Sequence, residues 1–341
     1  MFASRLRVKW FKSVEDVELE LRRVNVLIGE PGSGKSNILE ALGLLSFLAH
    51  GGELADYVRV AKPLDLFHVF SADREPVIEL ELNGRKRLAL RGKAEKAYHA
   101  SFTLEAEGRD YGFKALSLTY DTLAGKLKVD RAQLLEEDRK ALEGIKFYRF
   151  RPDTAYRGTG SLYLEPPRGV NLLQLIRTHS RLRSAVASML EGLGYRLKIS
   201  MVEEEVEFLQ EVGDVLVDVP FHLLSDTLQR TMFFLAAILT NEGSIVTMEE
   251  PEAHAYPYYT KFLAETIAMS KANQYVISTH NPYFLEAVIE KTPLRELAVY
   301  ACTLEKGRTR ATRLTQETLE RVLGGEVDVL FDMRQALRGR A

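Results

Sequence analysis

Residues 29–36 read GEPGSGKS, and Gly29, Gly34, Lys35 and Ser36 satisfy the spacing G-x-x-x-x-G-K-[ST]. Glycines permit a tight turn whose backbone N–H groups face phosphate oxygens. A lysine there brings a cation to the β- and γ-phosphates, and the serine hydroxyl can ligate Mg²⁺. We therefore expect Gly29, Pro31, Gly32, Ser33, Gly34, Lys35, Ser36 and Asn37 to line a nucleoside triphosphate, with Ser36 also on the metal.

Three further stretches carry chemistry. SIVTMEEPEAHAYP (244–257) ends an apolar run in two adjacent carboxylates. Side chains alternate along a strand, so Glu249 and Glu250 can take different tasks. One orients a Mg²⁺ shell, and the other polarises a water for attack on the γ-phosphate. Alone, the same residues would also make a solvated acidic turn. YVISTHNPYF (275–284) ends a second apolar run at His280, where an imidazole can bond the γ-phosphate or the attacking water. LLSDTLQR (223–230) places Ser225 just before a helix; by itself that is an N-cap.

The elements that must position these residues follow from periodicity. Residues 4–30 alternate apolar and polar twice, then reach the unbroken run Val24–Ile28, predicting two half-buried strands and one buried strand. Ile38, Leu39, Leu42, Leu45 and Leu48 recur at helical spacing until Gly51–Gly52. From about Val58 to Val129, short alternating runs split by turns such as Asn83–Gly84 predict an antiparallel sheet. A short helix over RAQLLEEDRKALEG, a strand IKFYRFRP, a Gly/Pro-rich loop, a helix pair or one long helix, and more strand pattern lead to the helix after Ser225. Strand, helix and strand over 244–280 is the grammar of a parallel core. The fold class expected is α/β, a P-loop NTPase with a mixed or parallel core sheet flanked by helices plus an antiparallel β-subdomain.

Composition narrows the class. The chain has 341 residues, 46% hydrophobic and 28% charged, with net charge −2. That balance gives no overall attraction to nucleic acid, although 46 Lys and Arg leave room for a local basic face. The single cysteine, Cys302, excludes a disulfide framework and a cysteine-rich zinc site, and reads as a core residue near a strand. The opening MFASRLRVKWFKS is charged where a signal peptide would be apolar, and TMFFLAAIL is shorter than the roughly 20 residues a membrane span needs. We expect a cytoplasmic protein with no membrane partner.

The four pieces in this order resemble the ATPase heads of the ABC superfamily, in the soluble SMC/RecF-like branch, and within it the stand-alone OLD-like AAA-type ATPases. LRVKWFKSVEDVELELRRVNVLIGEPGSGKSNILEAL looks like that branch's opening through Walker A. MEEPEAHAYP resembles its Walker B and D-loop, LLSDTLQR stands at the signature position, and STHNP resembles the switch-histidine motif. The resemblance implies an Mg-dependent ATPase with ATP and Mg²⁺ as ligands. Glu249 stands for the Walker B Asp on the metal, Glu250 for the catalytic base and His280 for the switch histidine. Ser225 would contact the γ-phosphate held by a second copy in an ATP-sandwiched homodimer, and Lys12 of the F-K-S turn would approach the nucleotide. It also implies one head over 1–341, with lobes at about 1–150 and 151–341.

The departures from the pattern are specific. Pro31 stands where this branch usually has Asn, and Asp226 and Thr227 stand where the signature has its glycine pair. No Q-loop glutamine is found; the KFYRF strand offers Tyr148 and Arg149 instead. A Toprim-type nuclease, often appended in the OLD group, needs an acidic residue and a D-x-D pair. Asp328 and Asp332 are spaced D-x-x-x-D and fit a terminal helix, so no intrinsic nuclease is expected. The leading expectation is an ATPase whose ATP-driven dimerisation serves DNA maintenance or defence, with duplex DNA as a partner. Clusters at Gly84–Arg87, Arg91–Lys96, Arg177–Arg183 and Arg334–Arg340 offer basic surface, though each also fits a solvated face. The alternative is a slow nucleotide-dependent switch that regulates an unlinked effector protein without binding DNA. A GTPase would show an N-K-x-D motif, which is absent.

Overall fold

A computed structural model of the chain describes residues 2–84, 86–106, 109–134, 136–200, 203–327 and 329–330. Asp328, Asp332 and the Arg334–Arg340 cluster lie outside the described residues, as does Arg85. The half-buried alternation of the N-terminus gives β1 (Ala3–Phe11) and β2 (Val14–Glu20), and the apolar run gives β3 (Val24–Ile28), buried at all five positions. Helix α1 (Lys35–His50) follows the glycine loop and buries all five of its periodic apolar residues. Gly51 ends it at φ 72°, a left-handed conformation that favours glycine.

After α2 (Leu54–Tyr57), five strands form an antiparallel meander: β4 (Val77–Leu82), β5 (Lys86–Lys96), β6 (His99–Ala106), β7 (Arg109–Asp121) and β8 (Lys126–Arg131). The next helix, α3, spans Glu136–Glu143, starting later than its sequence pattern predicts. The reason is Arg131, which stays in β8 and donates to the Leu48 carbonyl at 2.8 Å, a cation on the last turn of α1. Then come β9 (Ile145–Tyr148), α4 (Leu172–Thr178), α5 (Ser180–Glu191) and a separate three-stranded sheet of β10 (Tyr195–Ser200), β11 (Glu205–Val212) and β12 (Val215–Val219). The chain continues through α6 (Asp226–Thr240), β13 (Ile245–Glu249), α7 (Pro257–Met269), β14 (Gln274–Ser278) and α8 (Pro282–Lys291). It closes its described part with β15 (Leu297–Glu305), β16 (Arg308–Arg313) and α9 (Gln316–Leu323).

Thirteen strands form one sheet in the order β8-β7-β6-β5-β4-β1-β2-β16-β15-β3-β14-β13-β9. The antiparallel meander is continuous with the core through the β1–β4 pair. From β15 to β9 every neighbouring pair is parallel, so these strands present their carboxyl ends along one edge. The β15–β16 hairpin inserts between β2 and β3, which are consecutive in sequence.

Alternation in the core strands sorts their side chains onto two faces. Val24, Val26, Ile28, Val246, Met248, Tyr275 and Ile277 pack with α6, α7 and α8, while Leu27, Ile245 and Val276 pack with α1. Each fully buried aliphatic or aromatic side chain contributes about 1.5–3 kcal/mol relative to exposure. A slip of one residue in β3 or β14 would exchange these faces and displace the residues at the strand ends. At the sheet's far edge, the Lys146 ammonium donates to Asn241 Oδ1 at 2.6 Å, and Asn241 Nδ2 donates to the Tyr148 hydroxyl at 2.8 Å. These buried bonds tie β9 to the end of α6, fixing where Arg149 leaves the sheet.

Candidate nucleotide-binding site

The loop between β3 and α1 is built for close backbone approach. Gly29, Gly32 and Gly34 have φ of 151°, 78° and 93°. A Cβ on Gly29 would collide with the Cys302 carbonyl of β15, and one on Gly34 with the Thr309 hydroxyl of β16. Ser13 Oγ lies 2.6 Å from Thr309 Oγ1, and Asn37 Nδ2 donates to Ser13 Oγ at 2.7 Å. The F-K-S turn and the β15–β16 hairpin thus brace the first turn of α1. The buried Lys35 ammonium donates to the carbonyls of Gly29 at 2.7 Å and Glu30 at 3.0 Å, and to Ser33 Oγ at 3.3 Å. Burial lowers its pKa, opposed by Cys302, Glu250 and Glu249. Cys302 is fully buried, and burial pushes its thiol up to about 12.

Four parallel strands side by side, β3, β14, β13 and β9, deliver Gly29, His280, Glu249–Glu250 and Arg149 to one edge. Register fixes this: Glu249 pairs with Ser278, the Glu250 N–H donates to the Ser278 carbonyl, and the Thr279 N–H donates to the Leu27 carbonyl. The two carboxylates diverge, as strand alternation requires. Glu250, at φ 44°, places Oε1 3.0 Å from His280 Nε2. Glu249 Oε2 accepts from Arg149 Nη2 at 2.9 Å. Lys35 donates to the Gly29 carbonyl on the neighbouring strand end. Burial and the Lys35 charge hold the imidazole pKa below its ordinary value against Glu250, so the neutral ring dominates near pH 7.

The family model described as "AAA domain, putative AbiEii toxin, Type IV TA system" matches residues 186–286, which include the paired glutamates and His280. Among solved structures, the SMC head domain from Thermotoga maritima matches at 16% identity and TM-score 0.50, over 92% of this chain and 100% of that one. An Smc head bound to the C-winged helix domain of ScpA matches at 15% identity and TM-score 0.53, over 94% and 100%. The Smc head with extended coiled coil and the C-terminal domain of ScpA, derived from Pyrococcus furiosus, matches at 14% and TM-score 0.54, over 95% and 99%. No curated protein sequence matches the chain. The chain has the fold of an SMC head domain.

In this head the remaining expected residues fall into two groups. Lys12 reaches α1 rather than the loop: its ammonium donates to Glu40 Oε2 at 2.5 Å and to the Arg59 carbonyl at 2.7 Å. Ser225 is exposed at the start of α6, and its hydroxyl accepts from the Leu228 N–H at 3.4 Å, the cap that its sequence position predicts. It shares no hydrogen bond with the glycine loop of its own chain among the described residues. Thr227, at the position where the resemblance would place a glycine, donates to the His254 carbonyl at 2.7 Å. Arg230 donates to the Glu250 carbonyl at 3.3 Å. Helix α6 is therefore stapled at two points to the turn after β13, whose Glu250 and His254 both have positive φ.

Sequence reasoning missed two parts of this site. Glu40 is fully buried and binds Lys12, Arg59 at 2.7 Å and Arg149 at 3.2 Å; its only local signal is a charge at i+4 from Ser36 on a face that is otherwise apolar. Burial alone would raise the Glu40 pKa, but Lys12, Arg59 and Arg149 together lower it. Glu252 is also buried; the Thr279 hydroxyl donates to its Oε1, and Oε2 lacks a partner among the described residues. Burial pushes this carboxyl up to about 7. Arg149, which the sequence offers in place of a glutamine, directly follows β9.

Proposed function

We propose that the chain binds ATP with Mg²⁺ across the glycine loop and the sheet edge, hydrolyses it, and works as an ATP-dependent homodimer. One observation carries this reading. Glu250, His280 and Lys35 converge at the carboxyl edge of the parallel strands: Glu250 Oε1 lies 3.0 Å from His280 Nε2, and Lys35 donates to the Gly29 carbonyl at 2.7 Å. Lys35 would exchange loop carbonyls for phosphate oxygens. Glu250 would polarise the attacking water, and neutral His280 would orient it or bond the γ-phosphate. Ser36 and Glu249 offer a hydroxyl and a carboxylate, the hard oxygen donors that Mg²⁺ prefers. A Mg²⁺ held by these two residues would supply charge neutralisation to the triphosphate.

The base side is supported by a cavity of about 690 Å³ that opens beside Asn37. Its polar lining includes Lys12, Ser13, Arg59 and Asp65, and its apolar lining includes Phe67 and Phe70. This size and mixture suit a nucleoside. The dimer rests on Ser225, exposed at the N-terminus of a 15-residue helix and ready to meet another copy's phosphate.

Coupling to duplex DNA in maintenance or defence is the first biological reading. A specific observation favours the second, a switch that acts on a separate protein. Among the described residues, part of that basic charge is already paired, as Arg87–Glu79, Arg91–Glu105 at 2.8 Å and Arg177–Glu204 at 3.0 Å. The test is the oligomeric state of Glu250→Gln by light scattering, with and without ATP and duplex DNA. We expect an ATP-dependent dimer; a monomer at saturating ATP would remove the sandwich. A salt-dependent DNA complex would select the first reading, and its absence the second.

A further inference from the structure

Arg149 stands between two carboxylates. Its Nη2 lies 2.9 Å from Glu249 Oε2 and 3.2 Å from Glu40 Oε1, and its side chain is 16% exposed. Glu40 already holds Lys12 and Arg59, so three cations share two carboxylates. Arginine has five donors and no acceptor. At this place it cannot ligate a metal, as a glutamine oxygen would. It also sets a permanent positive charge against the carboxylate that the cation needs.

We propose that Arg149 is a positioning residue that controls metal loading. Its guanidinium and the divalent cation compete for Glu249, and Arg149 yields that carboxylate when the cation arrives with nucleotide. The exchange leaves no buried unpaired charge, because Arg149 keeps Glu40. Glu40 in turn reaches Lys12 and Arg59, which line the cavity beside Asn37. Metal entry at one end of the site is thereby linked to the base side at the other. The inference rests on the Mg–ATP reading above and deepens it.

The test measures Mn²⁺ binding by electron paramagnetic resonance in the presence of a non-hydrolysable ATP analogue. Arg149→Met removes the charge and adds no oxygen ligand. It should tighten Mn²⁺ by about tenfold, the scale on which a neighbouring unit charge shifts a carboxylate's affinity for a proton. Arg149→Lys, which keeps the cation, should stay near wild type. Unchanged or weaker Mn²⁺ binding in Arg149→Met would overturn the proposal. Wild type with no analogue-dependent Mn²⁺ binding would instead overturn the Mg–ATP reading beneath it. Should Arg149→Met fail to fold, the wild-type crystal structure with Mn²⁺ and analogue decides. The Arg149–Glu249 separation should open beyond the roughly 4 Å of an ion pair while Arg149–Glu40 persists; an intact Arg149–Glu249 pair beside bound Mn²⁺ would contradict the exchange.

Discussion

The solvent face of β1, β2 and β4 and the carboxyl edge of β3, β14, β13 and β9 are both dense in ion pairs, yet they differ in kind. On the solvent face, Arg7 meets Asp16 at 3.0 Å with side chains 35% and 41% exposed, and Arg5 meets Glu18 and Glu81 in the same way. These partners follow the cross-strand register, and water screens them. At the carboxyl edge the partners come from strands and helices far apart in sequence, and Glu40 is wholly out of water. There a missing partner leaves a buried charge rather than a solvated one. Charge density therefore does not mark a site. Convergence of distant elements on partly buried charges does.

That contrast can be broken by experiment. The largest effect is expected from Lys35→Ala, which removes the cation at the centre of the loop. ATP affinity, read by calorimetry, should fall by at least about 100-fold, the scale of a charge-assisted contact in a partly buried site. Retained affinity would detach the loop from nucleotide.

Next comes Glu252. Burial holds its carboxyl at about 7 in the fold, against 4.5 as its ordinary value. Between these values the folded chain keeps a proton that the unfolded chain gives up. Stability from this group is thus present at the acid end and declines as pH rises through the window, by on the order of 3 kcal/mol in all. Denaturant unfolding at pH 5, 6, 7 and 8 should show that decline in wild type and a flatter profile in Glu252→Gln. Parallel profiles would mean that the carboxyl is solvated.

The smallest effect belongs to the solvent face. Arg7→Ala should change unfolding free energy by less than about 1 kcal/mol and leave ATP turnover unaltered. A larger loss would erase the distinction between the two regions.

The legible parts of the molecule were local ones. The glycine loop, the paired glutamates, His280 and the Ser225 cap each sit at a strand end or a helix start, and each carries its own turn or capping signal within a few residues. The alternation of β1 and β2 and the apolar run of β3 were readable for the same reason. What escaped was long-range. Thr309 braces Ser13 across 296 positions, and Arg149 meets Glu40 across 109. Nothing in the spacing of β15 and β16 announces that their hairpin will insert between β2 and β3. Thr227 reads as an ill-fitting glycine substitute until its bond to the His254 carbonyl is seen.

The most direct test of the proposed role of Glu250 is Glu250→Gln. The amide keeps the shape of the side chain and removes the carboxylate beside His280. ATP binding should persist while steady-state hydrolysis falls by at least about 100-fold, the usual contribution of a positioned general base. Hydrolysis at the wild-type rate in this variant would contradict the assignment of Glu250 and, with it, the reading of the sheet edge as the reacting centre.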